Sequence, residues 1–156
     1  MTGKCALTFK TVSGGFFYEM EQDIKRFLAS LQPEFDLSFR TITDSYGYMW
    51  VVLEGAKIED LLAGLTAISD TVEEKGFSDQ LLAAVFEFKD ERQGGYEYLI
   101  YNYKRNNFYP FIPTGQKTRD TEREIKMSAV VNEEMPFEKD LTLWYPLWDI
   151  PFRSRE

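Results

Sequence analysis

One stretch of the chain, residues 81–113, constrains the fold more than any other segment. It begins with an apolar run at residues 81–88. After a polar turn that ends in Gly94 and Gly95, it continues with an aromatic and branched run at residues 96–103. Side chains of these types suit a pleated, half-buried surface. Two such runs across a short, glycine-containing loop are typical of a β-hairpin, so we predict two central strands here.

The segments before this hairpin alternate between strand and helix patterns. Residues 4–11 and 35–43 show the alternation of apolar and polar side chains that is typical of strands. Residues 48–54, which follow turn-forming residues at 44–47, predict a third strand and hence a second hairpin. Residues 16–31 and 57–76 instead carry apolar side chains at helical spacing. The resulting order is β-α-β-β-α-β-β, and its first six elements follow the ferredoxin-like sequence of elements.

This order predicts an α+β fold with a mainly antiparallel sheet and two helices on one face. The ferredoxin-like order would be extended by an added hairpin strand and by a C-terminal aromatic tail. A chain of 156 residues can bury a sizeable core, and we expect a single domain over residues 1–156.

The stretch after the hairpin is less clearly patterned. Two prolines limit residues 108–113 to an edge strand or an extended loop, and residues 114–121 are polar and predict a mobile loop. Residues 122–135 alternate like a strand at some positions and recur every four residues like a helix at others. We interpret residues 122–135 as a strand that gives way to a helical turn.

The C-terminal segment combines a helix start with an aromatic run. Pro136, with the acids Glu138 and Asp140 after it, favours the start of a short helix. The apolar residues that follow would not be left in water, so we expect this tail to pack back on the domain or to bind another protein. Both alternatives, packed anchor and interface hot spot, stay open for three large side chains, Trp144, Tyr145 and Trp148.

The chain contains no histidine and a single cysteine, Cys5. Without histidine, His-based catalytic triads, HExxH zinc sites and imidazole acid–base catalysis are excluded. One cysteine cannot form an intrachain disulfide or a cysteine zinc site, which favours a reducing cytoplasm. We therefore expect a protein that is not an enzyme and that needs no cofactor or metal.

The formal net charge of −8 at pH 7 restricts the possible partners. This charge disfavours binding to nucleic acid and direct docking on anionic lipid. No apolar run approaches the roughly 20 residues that span a bilayer, and the start of the chain lacks the apolar core of a signal peptide. We expect a cytoplasmic protein without membrane insertion of its own, and recruitment to the inner face of the membrane would require a partner.

Four basic residues form a local positive cluster in this acidic chain: Lys104, Arg105, Arg119 and Arg123. One interpretation is a seat for an acidic partner helix or an anion, with Phe108 or Tyr109 as an apolar anchor nearby. The other, which we favour, is a set of solvated charges that are neutralised by neighbouring acids, namely Asp120, Glu122 and Glu124.

Three aromatic residues, Tyr46, Tyr48 and Trp50, occupy alternate positions and would line one face of the sheet. Aromatic side chains placed in this way can form a cage around a cation. More often they belong to the core, and we interpret them as core residues.

Several rare aromatic- and proline-containing motifs follow one another along the chain. They are DSYGYMWVVL at 44–53, EDL at 59–61, GFSDQLLAAVF at 76–86, IYNYKRNNFYPFIP at 100–113, RD at 119–120, MPFE at 135–138 and WYPLW at 144–148. On these motifs, the chain resembles the PspA-associated protein PspAB family of prokaryotes from about Cys5 to the C-terminus.

The resemblance implies an accessory of the phage-shock-protein system, whose central protein, PspA, is a coiled-coil membrane-stress protein. It implies a PspA-like partner and carries over no catalytic residues. Two functions stay open: an interaction protein that binds PspA or a related partner, and a small-ligand-binding domain or enzyme with a carboxylate–arginine pocket. The oligomeric state also stays open. The candidate partner-binding residues are Lys104, Arg105, Phe108, Tyr109, Arg119, Trp144, Tyr145 and Trp148.

Overall fold

A computed structural model describes residues 2–10, 15–31, 37–44, 46–90, 92, 94–115, 117–148 and 150–152. The described chain is α+β with antiparallel strand pairs, as the sequence predicts, and it has three α-helices where two were predicted. It forms two compact units. The N-terminal unit contains Gly3–Leu82 and Pro151–Glu156, and the C-terminal unit contains Met1–Thr2 and Ala83–Ile150. The expectation of one domain over the whole chain stays a prediction.

In its described residues, the N-terminal unit contains three complete strands and two helices. The strands are antiparallel and lie in the order β2-β3-β1. Both predicted helices are present. The elements are β1 (Lys4–Lys10), α1 (Gly15–Leu31), β2 (Leu37–Thr43), β3 (Tyr48–Gly55) and α2 (Ile58–Glu74), followed by a 3-10 turn at Ser78–Gln80.

Helix α2 packs closely on one face of these strands. Leu7 on β1 lies opposite Val51 on β3, and both side chains are buried. Gly64 brings the α2 backbone close to this face, because a Cβ at that position would lie 3.0 Å from Leu53 Cδ1. The pattern of apolar residues along α2 predicted this buried face, which includes Leu61, Leu65, Ile68 and Val72. Cys5 lies in the same core, where burial raises the pKa of its thiol to about 12.

The turn between β2 and β3 is organised by Asp44. Its Oδ1 accepts hydrogen bonds from the backbone N–H of Tyr46 at 2.8 Å and of Tyr48 at 3.0 Å. Its Oδ2 accepts one from Trp50 Nε1 at 2.9 Å, and Trp50 is buried. The interpretation as core therefore holds for Trp50, whereas Tyr46 lies in the turn before β3 and is exposed. Tyr46 was wrongly placed because the aromatic alternation begins before the strand does.

The C-terminal unit contains most of the predicted central hairpin. Strands β4 (Leu81–Lys89) and β5 (Tyr96–Asn102) pair antiparallel, and β6 (Asn107–Phe111) pairs antiparallel with β5. The unit boundary falls inside β4, after Leu82. The hairpin is confirmed, and residues 107–111 form a strand despite Pro110. Strand β6 lies at the end of the strand order, where the missing N–H of a proline is tolerated.

The polar segment after β6 is more ordered than the sequence predicted. A two-stranded ribbon forms from β7 (Pro113–Gly115) and β8 (Thr118–Arg119). Lys117 closes the turn between these strands with a left-handed backbone φ of 56°. Thr114 Oγ1 and Thr118 Oγ1 lie 3.0 Å apart across the ribbon.

The strand that we predicted within residues 122–135 is wrong, because the structure has helix α3 at Thr121–Val131. The Asp120 side chain caps this helix by accepting a hydrogen bond from the backbone N–H of Arg123 at 3.1 Å. Two acids in the first turn, Glu122 and Glu124, suit its N-terminus. The period-two pattern was misleading because the contacts that place this helix are polar.

The helix predicted to start at Pro136 is also displaced. Residues 136–140 are not helical, and a 3-10 turn forms at Leu141–Leu143 instead. Asp140 caps it, since its side chain accepts from the backbone N–H and the hydroxyl of Thr142. These hydrogen bonds lower the pKa of Asp140.

Candidate partner-binding surface

The segment after α3 returns to the open edge of β6. The backbone N–H of Phe108 donates to the carbonyl of Pro136 at 2.9 Å, and the N–H of Glu138 donates to the carbonyl of Phe108 at 2.8 Å. Phe108 and Phe137 thereby form a parallel bridge. These bonds pair part of the β6 backbone that an edge strand would otherwise leave exposed. The C-terminal aromatic residues come directly after this segment in the chain.

Arg119 connects three parts of the C-terminal unit. Its Nε donates to both carboxylate oxygens of Glu124 at 2.9 Å. Its Nη1 donates to the carbonyl of Trp144 at 2.7 Å, and its Nη2 to the carbonyl of Pro110 at 3.3 Å. The guanidinium carbon also lies 5.1 Å from the centre of the Phe111 ring, a cation–π distance. Arg119 therefore joins β6, α3 and the tail.

The start of α3 is held by further polar contacts. The fully buried carboxylate of Glu124 also accepts a hydrogen bond from the backbone N–H of Ile112 at 2.8 Å. Arg123 pairs with Asp90 at 2.6 Å and with Glu97 at 2.5 Å. The bonds of Glu124 and of Arg123 to these partners thus fix the position of the α3 N-terminus in the C-terminal unit.

Arg105 and Glu138 form a second arginine–carboxylate pair. Arg105 Nη2 lies 3.0 Å from Glu138 Oε1, and Arg105 Nε donates to Oε2 at 3.1 Å. Asn107 Nδ2 donates to the same Oε2 atom. The Arg105 guanidinium, and then Asn107, lower the pKa of Glu138, and the pKa of Arg105 is raised. The two ends differ in exposure, since the Arg105 side chain is 48% exposed and that of Glu138 is buried.

The aromatic tail packs back on β6, which is one of the two alternatives expected from the sequence. Tyr109 Oη donates to the carbonyl of Tyr145 at 2.9 Å, and burial raises the pKa of Tyr109. Trp144 is buried, and its Nε1 donates to the carbonyl of Glu138 at 2.9 Å. The Trp148 ring meets Phe111 edge to face at 5.2 Å.

The structure divides the eight candidate residues by exposure. Tyr109 and Trp144 are buried, and three others are half-buried, namely Phe108, Arg119 and Trp148. The exposed ones are Lys104, Arg105 and Tyr145. Arg105 pairs with Glu138, whose backbone carbonyl accepts from Trp144 Nε1, so Arg105 and the residue after Trp144, Tyr145, belong to one region of the C-terminal unit. The partner-binding role of all eight stays a prediction.

The basic residues that are clustered in the sequence are paired separately in the structure. Arg105 pairs with Glu138, and Arg119 with Glu124, while Arg123 reaches Asp90 and Glu97. Of the three acids expected to neutralise them, Glu124 does so for Arg119. The other two contribute differently: Asp120 caps α3, and Glu122 pairs with Lys126.

Sequence reasoning missed Glu138 and Asn107 as members of this surface. Glu138 was interpreted only as an acid at a helix start. The available signal was the MPFE motif at 135–138, which carries the family resemblance without any helical role. Asn107 lies in the motif at 100–113, but nothing local indicated its bond to Glu138, because that bond joins residues 31 positions apart.

In the part of the chain that the structure describes, no three His, Cys, Asp or Glu side chains are grouped so that they could hold a metal ion. None of the described helices is both long and apolar enough to cross a membrane.

A family model described as PspA associated protein B matches residues 1–152. The chain belongs to this family. The resemblance seen in the sequence motifs is thereby confirmed over nearly the whole chain, including the MPFE and WYPLW segments that form the tail. No curated protein and no solved structure matches the chain. The family description itself links the PspAB family to PspA.

Proposed function

We propose that this protein is a non-enzymatic accessory of the phage-shock system that binds PspA or a related partner. The observation that carries the proposal is the match of residues 1–152 to a family described as PspA associated. Association between two proteins requires a contact surface on each of them. In the C-terminal unit, such a surface is available beside the packed tail.

Three exposed residues supply this surface: Lys104, Arg105 and Tyr145. Tyr145 is 50% exposed, and its backbone carbonyl accepts a hydrogen bond from Tyr109, which holds the backbone that carries the ring. The two basic side chains would attract an acidic stripe on the partner, and the aromatic ring would supply contact area. Each exposed ion pair contributes only about 0.2–1 kcal/mol, so charge steers the encounter more than it holds the complex.

Two polar groups that a carboxylate–arginine pocket could use, the Arg119 guanidinium and the Tyr109 hydroxyl, are committed to structural bonds. Arg119 donates to Glu124 and to two backbone carbonyls. The hydroxyl of Tyr109 donates to the Tyr145 carbonyl, and burial raises its pKa. These bonds would have to break before either group could act on a substrate. The pairing therefore supports a binding protein over the carboxylate–arginine pocket.

We also propose a ferredoxin-like order of elements and a cytoplasmic location. The ferredoxin-like order is supported by the N-terminal unit, where β2-β3-β1 is the strand order that this arrangement requires. A cytoplasmic location, with recruitment to the membrane through PspA, is supported by the lone cysteine and the net charge of −8.

Co-purification from cells with tagged PspA tests the proposal. The informative variant is Lys104→Gln/Arg105→Gln. Its matched control is Lys25→Gln/Arg26→Gln on α1, which likewise removes two adjacent cationic side chains; both of these pair with carboxylates, as Arg105 does. We expect PspA to retain the parent and the control, and to retain less of the Lys104→Gln/Arg105→Gln variant.

The possible outcomes test the proposed function and the proposed surface separately. A parent protein that does not co-purify with PspA would show the proposed function to be wrong. If both double variants are retained as the parent is, the function stands and the Lys104–Arg105 surface is the wrong one.

A further inference from the structure

Strand β2 (Leu37–Thr43) has one open edge in the part of the chain that the structure describes. It pairs with β3 on one side, and no described strand pairs with it on the other. An edge strand presents a row of backbone N–H and C=O groups on its outer side, to which another extended chain can hydrogen-bond. Proteins commonly block such an edge with a proline, a lysine, a bulge or a covering segment.

Strand β6 shows how this chain protects an edge. Pro110 lies within β6 and lacks the N–H that strand pairing uses. Residues 136–138 also run along β6, because the backbone of Phe108 donates to Pro136 and accepts from Glu138. Both devices limit the addition of a further strand there.

Strand β2 has neither device. Its sequence, LSFRTIT, contains no proline, lysine or glycine, and its pairing with β3 continues without a bulge from Leu37 to Thr43. Three of its residues, Phe39, Thr41 and Ile42, are aromatic or branched and are half-buried. Such side chains favour strands, and an added strand would cover them further.

The single charge on β2 is directed away from the open edge. Side chains stand roughly perpendicular to a sheet, and Arg40 Nη2 donates to the carbonyl of Pro151, which belongs to the same unit. Leu37–Thr43 contains no acidic residue. In a chain with a net charge of −8, two copies can therefore meet at this edge without carboxylates of β2 facing each other.

We propose that the open edge of β2 binds the same edge of a second copy of this chain, as an antiparallel strand pair about a two-fold axis. A strand edge requires an extended backbone as its partner, which the coiled coil that the family resemblance implies for PspA does not offer. A second copy offers the matching edge by symmetry, because a two-fold dimer uses one patch on both subunits. The inference goes beyond the proposed function and does not depend on it.

Charge decides the register of this strand pair. An axis at Arg40 would place two arginines directly opposite each other, where like charges are destabilising. An axis at Thr41 instead places Thr41 opposite its own copy and Phe39 opposite Thr43 of the partner subunit, which are favourable cross-strand pairs. The pair then spans residues 39–43, and so short an interface buries less than the roughly 1,200–2,000 Å² of stable complexes. The dimer should therefore be reversible and depend on concentration.

Sedimentation velocity of the purified full-length protein, over a concentration series, tests this edge. The variants are Thr41→Lys and Thr41→Glu, each of which places two like charges opposite each other at the axis. Their matched controls are Thr114→Lys and Thr114→Glu, which add the same charges at an exposed strand position in the C-terminal unit. Thr41 is half-buried, so thermal melting checks that its variants fold.

The parent and both controls should dimerise, and each Thr41 variant alone should have a dimer dissociation constant raised roughly tenfold or more. An equimolar mixture of Thr41→Lys and Thr41→Glu should recover the dimer, because lysine then faces glutamate. Raising the salt concentration should strengthen the parent dimer, since salt screens the repulsion between two chains of net charge −8.

Three results would overturn the inference: a parent that stays monomeric at every soluble concentration, Thr41 variants that dimerise as the parent does, and a mixture of folded variants that does not recover. If either variant unfolds, hydrogen exchange of the parent decides instead. Exchange at residues 37–43 should slow as the dimer forms, and unchanged exchange there would place the contact elsewhere. None of these results bears on the binding of PspA.

Discussion

Arg119 and Glu124 form an ion pair in which the guanidinium Nε lies 2.9 Å from both carboxylate oxygens. The Glu124 side chain is completely buried, and that of Arg119 is mostly so. Because Arg119 also bonds the Trp144 carbonyl, this pair fastens the aromatic tail as well as α3. The surface proposed for partner binding depends on that attachment.

The first prediction concerns the stability that this pair supplies. Glu124→Ala leaves Arg119 and the N–H of Ile112 without their acceptor, and losing one partner of a buried pair costs about 3–5 kcal/mol. The control is Glu122→Ala, which breaks an exposed pair on the same helix and should cost no more than about 1 kcal/mol. Urea unfolding of both variants measures the difference, and equal midpoints would contradict the structural role of the pair.

The second prediction concerns acid. The Arg105 guanidinium lowers the pKa of Glu138 below its ordinary value of 4.5. A carboxylate with a depressed folded-state pKa contributes stability that is complete above its ordinary pKa and is lost as pH falls through the folded pKa. We expect Arg105→Gln to lower stability near neutral pH and to reduce the loss of stability on acidification below 4.5.

Lys104→Gln is the control for that experiment, because it removes the neighbouring charge without touching Glu138 directly. Thermal melting as a function of pH is the measurement. Parallel pH profiles for the parent and Arg105→Gln would show that the pair does not contribute in this way.

The third prediction separates the two roles expected of the aromatic tail, packed anchor and interface hot spot. Trp144 is buried and bonds the Glu138 carbonyl, whereas Tyr145 is half exposed. Trp144→Ala should destabilise the protein by about 3–5 kcal/mol, as truncation of a buried tryptophan does. Tyr145→Ala should have a much smaller effect on unfolding and should weaken PspA binding. Chemical denaturation and binding assays on the same two variants check both halves, and a reversed pattern would exchange the roles of the two residues.

Segments in which apolar side chains follow a regular pattern over a long stretch were predictable from the sequence. Helix α2 buries the stripe that its spacing indicated, and the β4–β5 hairpin forms across the predicted glycine turn. In these elements the contacts are made by the apolar side chains themselves. The hydrophobic pattern and the fold therefore agree.

Helix α3 was predictable only in part on the same grounds. The four-residue spacing of Met127 and Val131, which are half-buried, did indicate a helix. The fully buried position is Glu124, however, and a rule that places apolar residues inside does not expect a carboxylate there. The strand-like spacing of Ile125, Met127 and Ala129 consequently pointed to the wrong structure.

The candidate surface was predictable only in part. Lys104, Arg105 and Tyr145 are exposed and lie in the C-terminal unit, whereas Tyr109 and Trp144 are buried in it. The pairing of Arg105 with Glu138 joins residues 33 positions apart. Such a contact depends on the return of the tail to β6, which local sequence patterns do not describe.

Titration of purified PspA into the purified protein, followed by calorimetry, tests the central claim most directly. We predict saturable binding that weakens as salt is raised and that is weaker still for Lys104→Gln/Arg105→Gln, with Lys25→Gln/Arg26→Gln unchanged. A parent protein that shows no saturable binding at any concentration at which PspA stays soluble would contradict the claim.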